Sequence, residues 1–89
     1  MKAEITKAQV VIYRSSPFLL AVAECGDSCM NIRVKLNYDT TDWSHLYSDL
    51  TDKIAEGFDI PKSKVDIQRH HLEKKIALGV MEAMLRGIQ

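Results

Sequence analysis

The sequence has 89 residues, 46% of them hydrophobic, 27% charged and 7% aromatic. Twelve Lys and Arg balance twelve Asp and Glu, so the formal net charge is zero. This is an ordinary globular composition of single-domain length, and the expectation is one domain over residues 1–89. Bulk neutrality supplies no general attraction to nucleic acid, an acidic substrate or a membrane surface.

No apolar run reaches the roughly 18 residues of a membrane span. The longest, Phe18 to Ala23, is strand-sized. Lys2, Glu4 and Lys7 break up the N-terminus before any apolar stretch, which is not the layout of an export signal. The expected location is therefore cytoplasmic, and the two cysteines are expected as thiols of a reducing compartment.

The first third reads as β structure. Ile5 to Tyr13 contains the β-branched cluster Val10-Val11-Ile12, and Arg14-Ser15-Ser16-Pro17 reads as a turn. Phe18 to Cys25 is apolar at both parities, as expected of a strand covered on two sides. Gly26-Asp27-Ser28 reads as a short hairpin loop. Met30, Ile32, Val34, Leu36 and Tyr38 then alternate with Asn31, Arg33, Lys35 and Asn37, the period of a strand with one wet face.

Grouped by parity, the strands are expected to present Val10, Ile12, Phe18, Leu20, Val22, Ile32 and Val34 on one side. The other side collects Lys7, Gln9, Val11, Tyr13, Leu19, Ala21, Ala23, Arg33 and Lys35, an apolar middle with a basic rim.

The period changes after Tyr38. Trp43, Leu46, Tyr47, Leu50, Ile54 and Phe58 fall on one face of an α-helix. Asp39, Thr40, Thr41 and Asp42 supply capping oxygens, and Gly57 is placed to end the helix. Asp59-Ile60-Pro61 blocks continuation. Residues 64–68 read as a short strand, with continuation into the last helix as the alternative. Leu72 to Ile88 is helical. The expected fold is α+β, a small antiparallel sheet of three to four strands with two helices, in the order β-β-β-α-(β)-α.

The last helix carries more apolar surface than one core needs. Its apolar positions span an arc of roughly 200°, against the roughly 100° that covers a single core. Leu78, Met81 and Leu85 are the surplus, with Glu82 and Arg86 at the rim as an acid-first i,i+4 pair. One reading is a groove within the same domain, or apolar side chains left partly exposed, which is normal on protein surfaces. The favoured one is an interface, and the commonest form is a two-fold dimer. Methionine suits such a surface because its thioether adapts to a partner.

Several constellations bring together residue types that can carry chemistry. Cys25 and Cys29 flank the expected loop at facing positions. Two small buried side chains, a disulfide and a redox pair all fit that placement. Zinc would need two more ligands, for which only His70 and His71 have the right chemistry, and adjacent histidines on a strand point to opposite faces. Asp42, His45, Asp49, Asp52 and Glu56 form a polar stripe on the first helix, read mainly as a solvated acidic face. Lys62, Lys64, Arg69, Lys74 and Lys75, joined by Arg33 and Lys35, are the candidate nucleic-acid contacts. No aromatic residue occurs between 59 and 89 to stack on bases.

Net charge is segregated along the chain: +2 over residues 1–38, −5 over 39–59, +3 over 60–75 and zero thereafter. Such complementary patches help orient self-association. The favoured function is a non-enzymatic interaction protein, a homo-oligomer that binds a protein partner or effector. A nucleic-acid-binding accessory role is the alternative. No catalytic set, cofactor site, metal site or membrane association is expected.

Overall fold

The computed structural model describes residues 2–36 and 43–87. Strand β1 is Ala3–Tyr13, β2 is Ser16–Cys25 and β3 is Ser28–Lys35. Helix α1 (Trp43–Phe58) follows, then a single 3-10 turn at Lys62–Lys64, the two-residue strand β4 (Val65–Asp66) and helix α2 (Arg69–Gly87). The fold is α+β, with one sheet in the order β3-β2-β1-β4. Strands β1, β2 and β3 pair antiparallel, as the alternation implied. The fourth strand does not: β4 runs parallel to β1, through Ala3↔Val65 and Glu4↔Asp66, so the sheet is mixed.

Both hairpin turns are tighter than their sequences suggested. Tyr13 pairs with Ser16, which leaves Arg14 and Ser15 alone in the loop, both at positive φ. That is the I′ geometry a right-twisted hairpin favours, here built without glycine. Pro17 lies within β2 rather than in the turn. Cys25 pairs with Ser28 around Gly26-Asp27, and Gly26 takes the positive φ that the turn requires.

One bulge decides which side chains are buried. Ile5 faces Ala23 and Lys7 faces Val22, so Thr6 is the extra residue in β1. Its hydroxyl donates to the Val22 carbonyl oxygen at 3.4 Å. Beyond the bulge, Ala8 and Val10 lie opposite Ala21 and Leu19, and on the far side of β2 these meet Ile32 and Val34.

Strand β2 is therefore the reverse of the parity expectation. Leu19, Ala21 and Ala23 are buried under the helices, while Phe18, Leu20 and Val22 share the opposite face with Lys7, Gln9, Asn31 and Arg33. With both parities apolar, the period-two signal is silent about the face.

The core lies between that sheet face and the two helices. Leu19, Leu50, Ile54 and Ile76 are its largest fully buried side chains. Helix α1 contributes Leu46, Tyr47, Leu50 and Ile54, and α2 contributes Leu72 and Ile76. The termination of α1 differs from expectation. Gly57 is inside the helix, beside the Met30 thioether. The stop comes at Asp59, whose φ of 56° is left-handed. The Asp59 N–H donates to the Glu56 carbonyl and the Ile60 N–H to the Ala55 carbonyl, a Schellman closure that usually carries glycine at this position. The expected cap at Asp39–Asp42 lies outside the described residues.

Tyr47 joins the two helices. Its hydroxyl donates to the Arg69 carbonyl at 3.1 Å, and the Arg69 guanidinium sits 4.8 Å from its ring centroid. Burial holds the phenol well above its ordinary pKa. The hydrogen bond to Glu73 and the carboxylate's charge raise it further, against a lowering from Arg69.

Candidate interaction surfaces

Helix α2 presents three different sides. The inner side, Leu72, Ile76, Gly79 and Ala83, rests on the sheet directly above β1. The outer side carries Leu78, Met81, Met84 and Leu85, at 51, 59, 50 and 63% exposure. For leucine and methionine this is high, and the four are neighbours at helical spacing. The surplus arc therefore does not turn into a groove of its own domain. The third side carries Lys75, Glu82 and Arg86 and overhangs the free edge of β1.

The candidate nucleic-acid residues do not form one face. Lys62 and Lys64 sit in the 3-10 turn, where Lys62 pairs with Asp52 at 2.8 Å. Arg69 is engaged with Tyr47, and Lys74 and Lys75 are on exposed positions of α2. Arg33 and Lys35 lie across the sheet, on the face away from the helices. Sequence proximity of the 62–75 cluster says nothing about this partition, because a strand directs alternate side chains to opposite sides.

Apolar residues at both parities of β2 imply cover on that opposite face as well. Among the described residues no helix lies on it. Val11, Phe18, Leu20 and Val22 are half-buried in its middle. Lys7, Arg33 and Lys35 surround them, and a trough of about 640 Å³ opens between Lys7, Leu20, Val22, Asn31 and Arg33, with Lys75 of α2 also lining it. Arg33 lies 5.8 Å from the Phe18 ring centroid and Arg14 lies 5.3 Å from that of Tyr13. The basic rim is the one that the parity grouping implies, but the apolar middle is Phe18, Leu20 and Val22 rather than Leu19, Ala21 and Ala23.

Cys25 and Cys29 are both free thiols. They are not opposite one another: Cys25 faces Ser28 and Cys29 faces Glu24, so the two point to opposite faces of the sheet. A three-residue loop would have aligned them; the two-residue loop does not. A disulfide would require facing Cβ atoms, which this register denies. His70 and His71 lie on the first turn of α2, and among the described residues no three His, Cys, Asp or Glu side chains are grouped as metal ligands. No described helix is long and apolar enough to cross a membrane.

Models of known protein families, curated proteins and solved structures were all compared with the chain, and none matches it.

Proposed function

We propose that the protein is a small interaction module that self-associates through the outer side of α2 and binds a protein partner. The observation that carries this reading is the exposure of Leu78, Met81, Met84 and Leu85 as one contiguous stripe. Full burial gains about 1.5–3 kcal/mol for a fully exposed side chain of this kind and roughly half that for these half-covered ones, so a second α2 laid across the stripe is a favourable occupant. A two-fold axis brings the same stripe onto itself, and Glu82 and Arg86 lie at its edge. The test is sedimentation mass over a concentration series for the wild type and for a Leu78→Asp/Leu85→Asp variant. The expected result is a dimer for the wild type and a folded monomer for the variant. A monomeric wild type at concentrations of about 100 μM overturns the reading, since stable interfaces of ordinary size assemble well below that.

A second reading rests on a different observation. The open sheet face combines Lys7, Arg33 and Lys35 with the Phe18 and Tyr13 rings, the pairing of cations and aromatics that single-stranded nucleic acid uses. Fluorescence anisotropy with a labelled single-stranded oligonucleotide at low salt tests it. Binding that weakens with salt and is lost in Phe18→Ala supports it. No anisotropy change at low salt removes it, because the electrostatic contribution is greatest there.

A further inference from the structure

The outer edge of β1 is unusual for a sheet margin. Strand β4 pairs only with Ala3 and Glu4. From Ile5 to Tyr13 no strand among the described residues occupies that edge. The hairpin register identifies which backbone groups face outward. In a two-residue hairpin the flanking pair, Tyr13↔Ser16, is hydrogen-bonded, and such pairs alternate along the ladder. Tyr13, Val11, Gln9 and Lys7 thus direct their N–H and C=O groups at β2. Ala8, Val10 and Ile12 direct theirs away from it.

Natural sheets guard such an edge with charges, proline or a bulge. Here the bulge at Thr6 and the charge at Lys7 lie at one end. The segment Ala8-Gln9-Val10-Val11-Ile12-Tyr13 contains no charge, proline or glycine. Beside it runs a groove of about 740 Å³, floored by the edge of β1 from Gln9 to Ile12 and walled by Gly79, Glu82, Ala83 and Arg86 of α2. The wall is low because Gly79 and Ala83 are small.

We infer that this groove takes an extended peptide, which adds to β1 as a further strand. Its backbone would meet the outward groups of Ala8, Val10 and Ile12. Apolar side chains at alternate positions would stand opposite Val10 and Ile12 against Gly79 and Ala83, with Glu82 and Arg86 over the rim. A second copy of β1 fits poorly. Adjacent strands are about 4.8 Å apart. Packed helix axes keep about 8–10 Å. Helix α2 sits directly above β1, with the Gly79 backbone against Val10, so two copies joined antiparallel at this edge, which puts both helices on one face, would drive their α2 helices into each other. A bare strand has no such helix. The inference names the chemistry of the protein partner in the reading above, and its groove meets the self-association stripe of α2 only at the border residues Glu82 and Arg86.

The probe is a nine-residue peptide with blocked ends, alternating valine and threonine between terminal lysines. Binding is followed by calorimetry and by amide hydrogen exchange, in the wild type and in the Leu78→Asp/Leu85→Asp background. In the free protein the Ala8, Val10 and Ile12 amides are expected to exchange fast, and the Gln9 and Val11 amides slowly. Peptide binding should slow the first three in both backgrounds, so loss of self-association and loss of peptide binding are separate results. N-methylation at one set of alternate peptide residues should weaken binding at least tenfold, and methylation of the other set should leave it. Ile12→Pro, which removes one outward N–H, should weaken binding similarly while Ile12→Val does not. No binding, or binding indifferent to both methylation patterns, overturns the inference. So does protection of Ala8, Val10 and Ile12 that rises with protein concentration alone, which would assign the edge to a second copy.

Discussion

Gly79 and Val10 are in direct backbone-to-side-chain contact: a methyl group on Gly79 would stand 2.6 Å from Val10 Cβ and 2.7 Å from its Cγ2. No real Cβ tolerates that distance, and the obstructing atoms lie at the base of a β-branched side chain that cannot swing aside. The contact sets how close α2 lies to the sheet.

Gly79→Ala should therefore destabilise the protein although it improves helix propensity. The propensity gain is about 1 kcal/mol, and overpacking costs about 1–3 kcal/mol. A net loss near 1 kcal/mol lowers Tm by about 4–8 °C in a domain of this size. Gly57→Ala is the control. Its added methyl meets only the Sδ and Cε of Met30, the mobile end of a flexible chain. That variant should be neutral or stabilised in thermal unfolding.

Asp59 closes α1 in a left-handed conformation that glycine adopts without cost. It also places a carboxylate at the negative end of the helix. Asp59→Gly should raise Tm, by an amount corresponding to about 1 kcal/mol. Asp59→Ala keeps the Cβ and the strain, so it should gain much less. Equal gains from both variants would assign the effect to charge alone.

Tyr47 donates to the Arg69 carbonyl, and Tyr47→Phe removes that bond between the helices, leaving the oxygen only its partner within α2. A loss of about 1 kcal/mol is expected. The wild type should also show an alkaline limb absent from the variant. The phenol pKa is raised in the folded state, so the folded protein holds its proton to higher pH than the unfolded chain. Stability from this group is complete below the unfolded pKa of about 10. It falls as pH rises above that value toward the folded pKa. Denaturant midpoints measured between pH 8 and 11 for the two proteins check the difference.

The cysteines should titrate as two free thiols without reductant. Cys29 is exposed and should react quickly with a thiol reagent; Cys25 is partly buried against the core and should react slowly. A native count of zero, restored to two by reductant, would contradict the β2–β3 register.

The elements were largely legible in the sequence. Strict alternation from Met30 to Tyr38 and the 3–4 spacing from Trp43 to Phe58 can each be satisfied in only one local conformation; the helix appears as read, and the strand appears as far as Lys35, with residues 37–38 outside the described ones. The surplus on α2 was legible for the same reason: an arc of roughly 200° exceeds what one sheet can cover, so Leu78, Met81 and Leu85 had to face away from it. Local punctuation was less legible. Gly57 looked like the helix stop, but the chain ends α1 two residues later at Asp59, since an aspartate tolerates the left-handed region when two backbone hydrogen bonds hold it there.

Local periodicity settles the kind of element and which helix faces are apolar, because both are properties of neighbouring residues. It does not settle which elements meet. The face of β2, the placing of Arg33 and Lys35 on the sheet face away from the core, the divergence of the two thiols and the open edge of β1 all follow from register and strand order. Those depend on one bulge at Thr6, on two-residue turns at Arg14-Ser15 and Gly26-Asp27, and on a parallel strand that ends after two residues. Each is a pairing between residues distant in sequence, and a shift of one position reverses every side chain on the strand.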